Sequence, residues 1–239
     1  MLTLYSYPEL FGVADNNPFG LKVHAFLHLC DLPFEHRHIF DARNAPRGQL
    51  PYLVDGEHSI GDSDAIINHL LQRYALTIDD GLTPEQRDIH LLIRRTLDDL
   101  YWSMSYSRWQ DDRFWPQFRD ALLRTHAELT EEGLLAARQY NLQRYHYQGI
   151  GRYDREQVYE RGIASLRAIS HLLGDQDCLF GEAPGSIDAA LYGFVANIHF
   201  YAIDTPLRRF VDAQANLVRH CEALHRRVTG SIARIEDVG

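Results

Sequence analysis

Gly48-Gln49-Leu50-Pro51-Tyr52 and, a short way beyond it, Asp62-Ser63 are the stretches whose residue types and spacing suggest chemistry. A proline entering a short edge strand just before a hairpin is a position where a cis peptide is often used. A cis Leu50–Pro51 bond would turn the Leu50 N–H and C=O outward, where an extended peptide can pair with them as an added strand. Asp62 and Ser63 open the next helix, where backbone N–H groups and the Ser63 hydroxyl favour a carboxylate. Asp62 can in turn accept bonds from an ammonium group. Taken singly, Pro51 reads as a turn proline and Asp62-Ser63 as a helix cap. Their order and spacing together are more specific. A ligand with a peptide backbone, an α-carboxylate and an α-amine satisfies all three features, and glutathione is such a ligand.

The elements that must position these groups follow from the pattern of the first third. Leu2 to Tyr7 alternates apolar and polar residues and stops at Pro8, as a strand does. Asp15-Asn16-Asn17 is turn chemistry, and Pro18 suits the first turn of a helix. That helix places Leu21, Ala25, Phe26, Leu29 and Cys30 on one face. Phe34 to Phe40 reads as a second strand, Tyr52-Leu53-Val54 as a third, and Asp55-Gly56 as the turn into a fourth at Glu57 to Ile60. Asp62 to Tyr74 is an amphipathic helix through Ile66, Ile67, Leu70 and Leu71.

Residues 75–83 read as a linker. Thr83-Pro84-Glu85-Gln86 then opens a long helix with a capping box, and Ile89, Leu92, Ile93, Thr96, Leu97 and Leu100 form its stripe. Only helical patterns follow, over 114–145, 155–173, 186–200 and 207–228, with a break at Gly149-Ile150-Gly151-Arg152.

Bulk properties narrow the function classes. The 239 residues are 45% hydrophobic and 24% charged, with a net charge of -9, which gives no electrostatic reason to bind nucleic acid. No segment approaches the apolar length of a membrane span, and Met1-Leu2-Thr3-Leu4 lacks the basic start of a signal peptide. Three widely spaced cysteines, Cys30, Cys178 and Cys221, argue for a reducing compartment, the cytoplasm, and against a disulfide framework. His24 and His28 have metal-ligand spacing, but two ligands without a third do not make a site, so no metal is expected.

Over its full length the chain resembles the glutathione transferases. More narrowly, it is similar to the branch that includes failed axon connections and the metaxins. The stretches that carry the resemblance are Asn17-Pro18-Phe19-Gly20-Leu21-Lys22-Val23, Gly48 to Leu53 and Ile60-Gly61-Asp62-Ser63-Asp64-Ala65-Ile66-Ile67. In the second half they are Gly149 to Arg152, Leu173-Gly174-Asp175, Leu179 to Pro184 and Asp188-Ala189-Ala190. The resemblance implies an α/β thioredoxin-like N-terminal domain, residues 1–76, and an all-α C-terminal domain, residues 84–239. It implies a cis Pro51, with Leu50 holding the cysteinyl backbone of glutathione and Asp62 and Ser63 its γ-glutamyl end. It implies a homodimer as well.

The position facing the glutathione sulfur is Ser, Cys or Tyr in much of the family. Here Asn17, with Asn16 beside it, stands just before the Pro-Phe pair. Asn17 reads either as an amide donor to the thiolate or as only the helix cap. Without a cysteine there and with no C-x-x-C, disulfide exchange lacks its nucleophile. Tyr101, Trp102 and Tyr106 fall where the family binds the electrophile, and ordinary helix packing is the competing reading. The function expected is a glutathione-dependent transferase acting on a small electrophile; the alternative is a non-catalytic binding or interaction protein on the same fold.

Overall fold

In the computed structural model the described backbone covers residues 1–236 and the described side chains residues 1–230. The expected C-terminal domain ends at Gly239, and residues 237–239 lie outside the described residues. Strands β1 (Leu2–Ser6), β2 (Phe34–His38), β3 (Tyr52–Asp55) and β4 (His58–Gly61) form one sheet in the order β2-β1-β3-β4. β1 and β2 are parallel, and the β1–β3 and β3–β4 pairs are antiparallel. Helices α1 (Pro18–Leu29) and α2 (Ser63–Arg73) complete the thioredoxin-like part. The remainder is helical: α3 (Pro84–Trp109), α4 (Trp115–Thr125), α5 (Glu131–Gln148), α6 (Arg155–Leu173), α7 (Ser186–His199), α8 (Pro206–Asp212) and α9 (Ala215–Glu236). No helix among the described residues is long and apolar enough to cross a membrane.

The register of the sheet gathers the chemistry at one end. Ser6 pairs with His38, Tyr5 with Tyr52, and Tyr52 with Gly61. The residues just beyond these pairs, Tyr7, Ile39, Pro51 and Asp62, therefore share one end of the sheet, and α1 starts from the loop that follows Tyr7. A short His36–Ser6 bond of 2.7 Å ties the ends of β1 and β2 together.

Helix boundaries follow capping chemistry more closely than periodicity. Thr83 and Gln86 form the expected capping box at the start of α3. The single helix expected over 114–145 is two. The His126 ring Nε2–H donates to the Glu9 carbonyl at 3.0 Å, pinning the chain after α4, and Thr130 restarts it by accepting from the Gly133 N–H at 3.1 Å. The segment expected over 207–228 is likewise split into α8 and α9. Thr205 caps α8 through the Arg208 N–H, and the chain turns at Ala213-Gln214 before α9 begins. On α3, Ile93, Leu97 and Leu100 are buried as expected, whereas Leu92 is 65% exposed. Gly149, at φ 107°, ends α5 in the left-handed conformation that glycine adopts without steric cost, and a 3-10 turn at Ile150–Arg152 follows.

The two parts are joined chiefly by α1 lying against α7. The α7 segment is nearly all buried, from Ile187 to Ile198. Close approach requires Gly193: a Cβ there would lie 2.5 Å from the Pro18 carbonyl oxygen and 2.9 Å from the Lys22 backbone nitrogen. Both are backbone atoms and cannot swing aside. Gly193→Ala should therefore destabilise the protein by ~2–3 kcal/mol through overpacking. Urea unfolding of the variant beside wild type measures this, and an unchanged midpoint would show that α1 and α7 are not packed this tightly.

Candidate functional site

The loop from Pro8 to Asn17 leads from β1 to α1 and presents its last residues to a cavity of about 350 Å³ between the sheet end and α3, α4 and α5. That size suits a small organic molecule. Tyr7, Asn16 and Asn17 line it from the thioredoxin-like side, and Tyr101, Arg108 and Trp109 from α3. Phe118, Leu122 and Leu134 add apolar wall, and Tyr140, Asn141 and Arg144 project from α5.

Buried polar bonds hold the loop in place. Asp15 is fully buried and its Oδ1 accepts from the Asn17 N–H at 2.7 Å. Its Oδ2 sits against the Cα of Gly20, where a Cβ would collide with it at 1.6 Å. Arg108, also buried, donates one nitrogen to the Asn16 backbone carbonyl and to Asn16 Oδ1 (3.1 Å). Its other terminal nitrogen donates to the Asn197 carbonyl (2.9 Å) and Asn197 Oδ1 (3.0 Å). Asn197 Nδ2 returns a bond to the Asp15 carbonyl at 3.1 Å. The Arg108 guanidinium also lies over the Tyr201 ring at 4.9 Å. One side chain of α3 thus fixes the loop before α1 against α7.

Burial pushes the Asp15 carboxyl up to about 8, against hydrogen bonds from Ser6 and Asn17 and the more distant Arg108 charge, which favour ionisation. Burial likewise pushes the Tyr7 hydroxyl up to about 12, with Tyr101 and Asp15 adding to the shift. At neutral pH Tyr7 is therefore a protonated donor at the cavity wall.

Asn17 occupies the N-cap of α1, and its Oδ1 accepts from the Phe19 N–H at 3.0 Å. Its amide nitrogen remains for the cavity. Of the expected aromatic group, Tyr101 lines the cavity; Trp102 and Tyr106 do not. Trp102 packs edge-on to Tyr145, and Tyr106 is buried between Tyr145 and Tyr159. Sequence reasoning passed over Tyr7, Arg108 and Arg144. Tyr7 closes the first strand pattern directly before Pro8, which is the one sequence signal that could have found it.

Leu50, Pro51, Asp62 and Ser63 lie at the sheet end and outside the cavity lining. The Leu50–Pro51 peptide is cis. Asp62 is exposed, with φ 84° and ψ 127°, a backbone region that a non-glycine residue occupies at a cost of ~1–3 kcal/mol. Its Oδ1 accepts from the Asp64 and Ala65 N–H groups at 3.0 and 3.1 Å, so the carboxylate caps α2. Ser63 is buried and accepts from Lys22 Nζ at 3.2 Å. Lys22 also pairs with Asp64, which Arg94 approaches to 3.0 Å from α3. Burial opposes ionisation of Asp64, but the Lys22 and Arg94 charges outweigh it and hold its carboxyl below the usual range.

His24 and His28 meet edge-on at 4.6 Å and join His36 and His38 in a ring cluster on the α1–β2 face. Burial lowers all four toward the neutral form. No group of three or more His, Cys, Asp or Glu is placed to hold a metal ion among the described residues.

Residues 18–114 match the family model described as glutathione S-transferase N-terminal domain, and residues 162–224 that of the glutathione S-transferase C-terminal domain. The chain is 32% identical to an isoprene-epoxide–glutathione S-transferase of Rhodococcus sp. strain AD45, over 95% of this chain and 98% of that one. It is 24% identical to Failed axon connections of Drosophila melanogaster, over 92% of this chain and 56% of that protein. Human Metaxin-2 is also 24% identical, over 92% of this chain and 86% of its own length. Among solved structures, a glutathione S-transferase of Ceriporiopsis subvermispora in complex with glutathione superposes with a TM-score of 0.66 at 13% identity, covering 95% and 97% of the two chains. A beta-etherase of Sphingobium sp. strain SYK-6 gives 0.65 at 15% identity, covering 98% and 99%.

The Asp15 carboxyl gives this site a pH signature. The unfolded side chain titrates near its ordinary value of 3.8 and the folded one near 8. Between those values the folded chain binds more protons, so this group's contribution to stability falls as pH rises through the window and is constant above it. Asp15→Asn keeps an acceptor for the Asn17 N–H and cannot ionise. Its stability relative to wild type should rise between pH ~5 and ~8, by at most ~1.4 kcal/mol per pH unit. Urea unfolding of both proteins across that range tests it; parallel curves would place the Asp15 pKa near its ordinary value.

Proposed function

The chain belongs to the glutathione S-transferase family, and from that membership we propose that it joins the sulfur of glutathione to a small electrophile. The observation that carries this reading is the meeting of Tyr7, Asn17 and Tyr101 in one cavity, at the sheet end that also bears cis Pro51 and the strained Asp62. Glutathione would pair its cysteinyl backbone with Leu50 and place its γ-glutamyl group at Asp62 and Ser63. Its sulfur would then face the end of β1 and the start of α1.

A thiol that ionises near 8.5 is mostly protonated at neutral pH, so the site must favour the thiolate. The Tyr7 hydroxyl is a protonated donor with no hydrogen-bond partner of its own among the described residues. The Asn17 amide N–H and the positive end of α1 add to it. The electrophile would lie against Tyr101 in the cavity. Attack forms the C–S bond, and the leaving group departs with its electron pair or, for an epoxide, stays as an alkoxide that takes up a proton. The 32% identity to an enzyme named for isoprene epoxide fits that second course.

This reading includes a homodimer, which the exposed Leu91 and Leu92 on α3 favour. It includes a cytoplasmic setting too, where Cys30, Cys178 and Cys221 would stay reduced. The second reading, a non-catalytic binding protein on the same fold, is favoured by the use of Asn17 Oδ1 as a helix cap.

Calorimetric titration with glutathione should show saturable binding that an Asp62→Ala, Ser63→Ala double variant loses; no binding at millimolar glutathione would defeat the transferase reading. Given binding, Tyr7→Phe should lower kcat/KM by ~100-fold while changing glutathione affinity little, as loss of one donor to a developing anion does. The thiolate absorbance of bound glutathione would weaken in parallel. If Asn17→Ala has this effect and Tyr7→Phe does not, the sulfur is held by Asn17. If wild type binds glutathione but turns over no electrophile, the binding-protein reading stands.

A further inference from the structure

The charge inside the cavity is lopsided. Two guanidiniums line it, Arg108 and Arg144, and no Asp or Glu does. Neither arginine has a carboxylate within ion-pair distance among the described residues. Arg108 bonds only to neutral carbonyl and amide oxygens of Asn16 and Asn197. Arg144 donates to Asn141 Oδ1 at 3.0 Å, and its guanidinium otherwise faces the rings of Trp102 (5.3 Å), Tyr140 (5.8 Å) and Tyr101 (6.0 Å). The nearest acid on the loop, Asp15, holds its proton to about 8 and supplies little counter-charge at neutral pH. In a chain of net charge -9, two uncompensated cations at one small apolar cavity are a specific arrangement rather than a general bias.

Partly buried charge that is not paired is costly, and an anion entering the cavity relieves that cost. The two arginines differ in what they can offer. The Arg108 fork is spent on the loop and α7. Arg144 is half-buried and set on a single helix, with an aromatic clamp that fixes the plane of its guanidinium and leaves N–H groups for a ligand. Met104, Trp109, Phe118, Leu122, Leu129 and Leu134 give the cavity an apolar wall, and its other polar groups are uncharged. The γ-glutamyl amine and carboxylate of glutathione belong, on the reading above, to the outer sheet end at Asp62 and Ser63, outside the cavity lining.

We propose that the electrophile is a small apolar or aromatic molecule carrying a carboxylate, and that Arg144 is the residue that selects it by pairing with that carboxylate. This deepens the transferase reading and rests on it. The reacting carbon then lies toward Tyr7 and Asn17, with the carboxylate at α5. Sulfur bonds to that carbon, the leaving group departs with its electron pair, and the carboxylate is unchanged.

The test uses the full chain and two matched probes, a para-chlorodinitrobenzoate and the corresponding para-chlorodinitrobenzamide. With glutathione, each forms a C–S bond and releases chloride. Wild type should favour the benzoate by about ten-fold or more in kcat/KM, chiefly through KM, the range of one charge-assisted pair in a partly dry site. Arg144→Gln should bring the ratio to about one, and Arg144→Lys should restore part of it. A second measurement needs no turnover: quenching of tryptophan fluorescence (Trp109 lines the cavity) by dinitrobenzoate and dinitrobenzamide without glutathione. Selective binding of the benzoate, lost in Arg144→Gln, would support Arg144 as the carboxylate-selecting residue whether or not either chloro compound reacts, which separates this test from that of the transferase reading.

Equal use and equal binding of the two probes by wild type would overturn the proposal. So would a preference that survives in Arg144→Gln, or a variant that slows both probes equally and so shows Arg144 serving the thiolate. Absence of benzoate binding at millimolar concentration would overturn it as well.

Discussion

A guanidinium buried where three segments meet sets the terms for the rest of this molecule. Arg108 reaches from α3 to Asn16 on the loop before α1 and to Asn197 on α7, meeting backbone and side-chain oxygens of both. A buried cation with no carboxylate partner is tolerated only when enough oxygens surround it. The loop and α7 therefore cannot shift independently without leaving that charge exposed to an apolar interior. Asn17 follows the anchored Asn16, whose N–H also donates to the Pro8 carbonyl at 3.2 Å next to Tyr7, so the same constraint holds both donors at the cavity. The loop is held by polar bonds that cost much if broken, while α1 is held by close packing on Gly193. Direction comes from the first and distance from the second.

The protonation state of Asp15 follows from the same crowding. The residue is needed as an acceptor for the Asn17 N–H and sits beneath Gly20, where no water can reach it. A full negative charge there would partly cancel Arg108 across the loop and draw in the field that otherwise points into the cavity. Kept neutral by burial, Asp15 holds the loop without quenching that field. Positive potential therefore remains on the cavity side, which is where a thiolate or an anionic substrate benefits from it. Tyr7, raised by burial in the same way, remains a donor instead of becoming a competing anion.

Much of this was legible in the residues, and the exceptions have a common cause. The strand–helix–strand, hairpin, helix order and the capping box at Thr83 are local features: a few adjacent residues carry each of them. The cis Leu50–Pro51 and the cap at Asp62 rest on residues close in sequence, and the family resemblance joined them. What escaped was non-local. The break between α4 and α5 depends on His126 meeting Glu9, far away in the chain, and no periodicity of 114–145 can report that contact. Arg108 and Arg144 carry no local signal, since an arginine on a helix shows itself as buried only once its neighbours are known. Trp102 and Tyr106 share the α3 segment with Tyr101 but point to Tyr145 and Tyr159, a difference of helical face that a run of aromatics conceals.

The two halves divide recognition by the kind of group each can offer. A sheet end presents backbone N–H and C=O groups in fixed register, which suits a ligand that is itself a peptide and does not vary. Helices present side chains on replaceable faces, which suits a partner that differs from one relative to another. Here α5 contributes Tyr140, Asn141 and Arg144 to the cavity while carrying little of the core: of its residues only Leu134, Asn141 and Tyr145 are buried. Substitutions on that helix change the cavity at small cost to folding, whereas substitutions at Asp15, Gly20 or Arg108 disturb the loop that carries Asn16 and Asn17 to the cavity. On the proposed transferase reading, specificity for the second substrate would change on α5 while the thiol end stays constant, with the charge of Arg144 as this chain's choice.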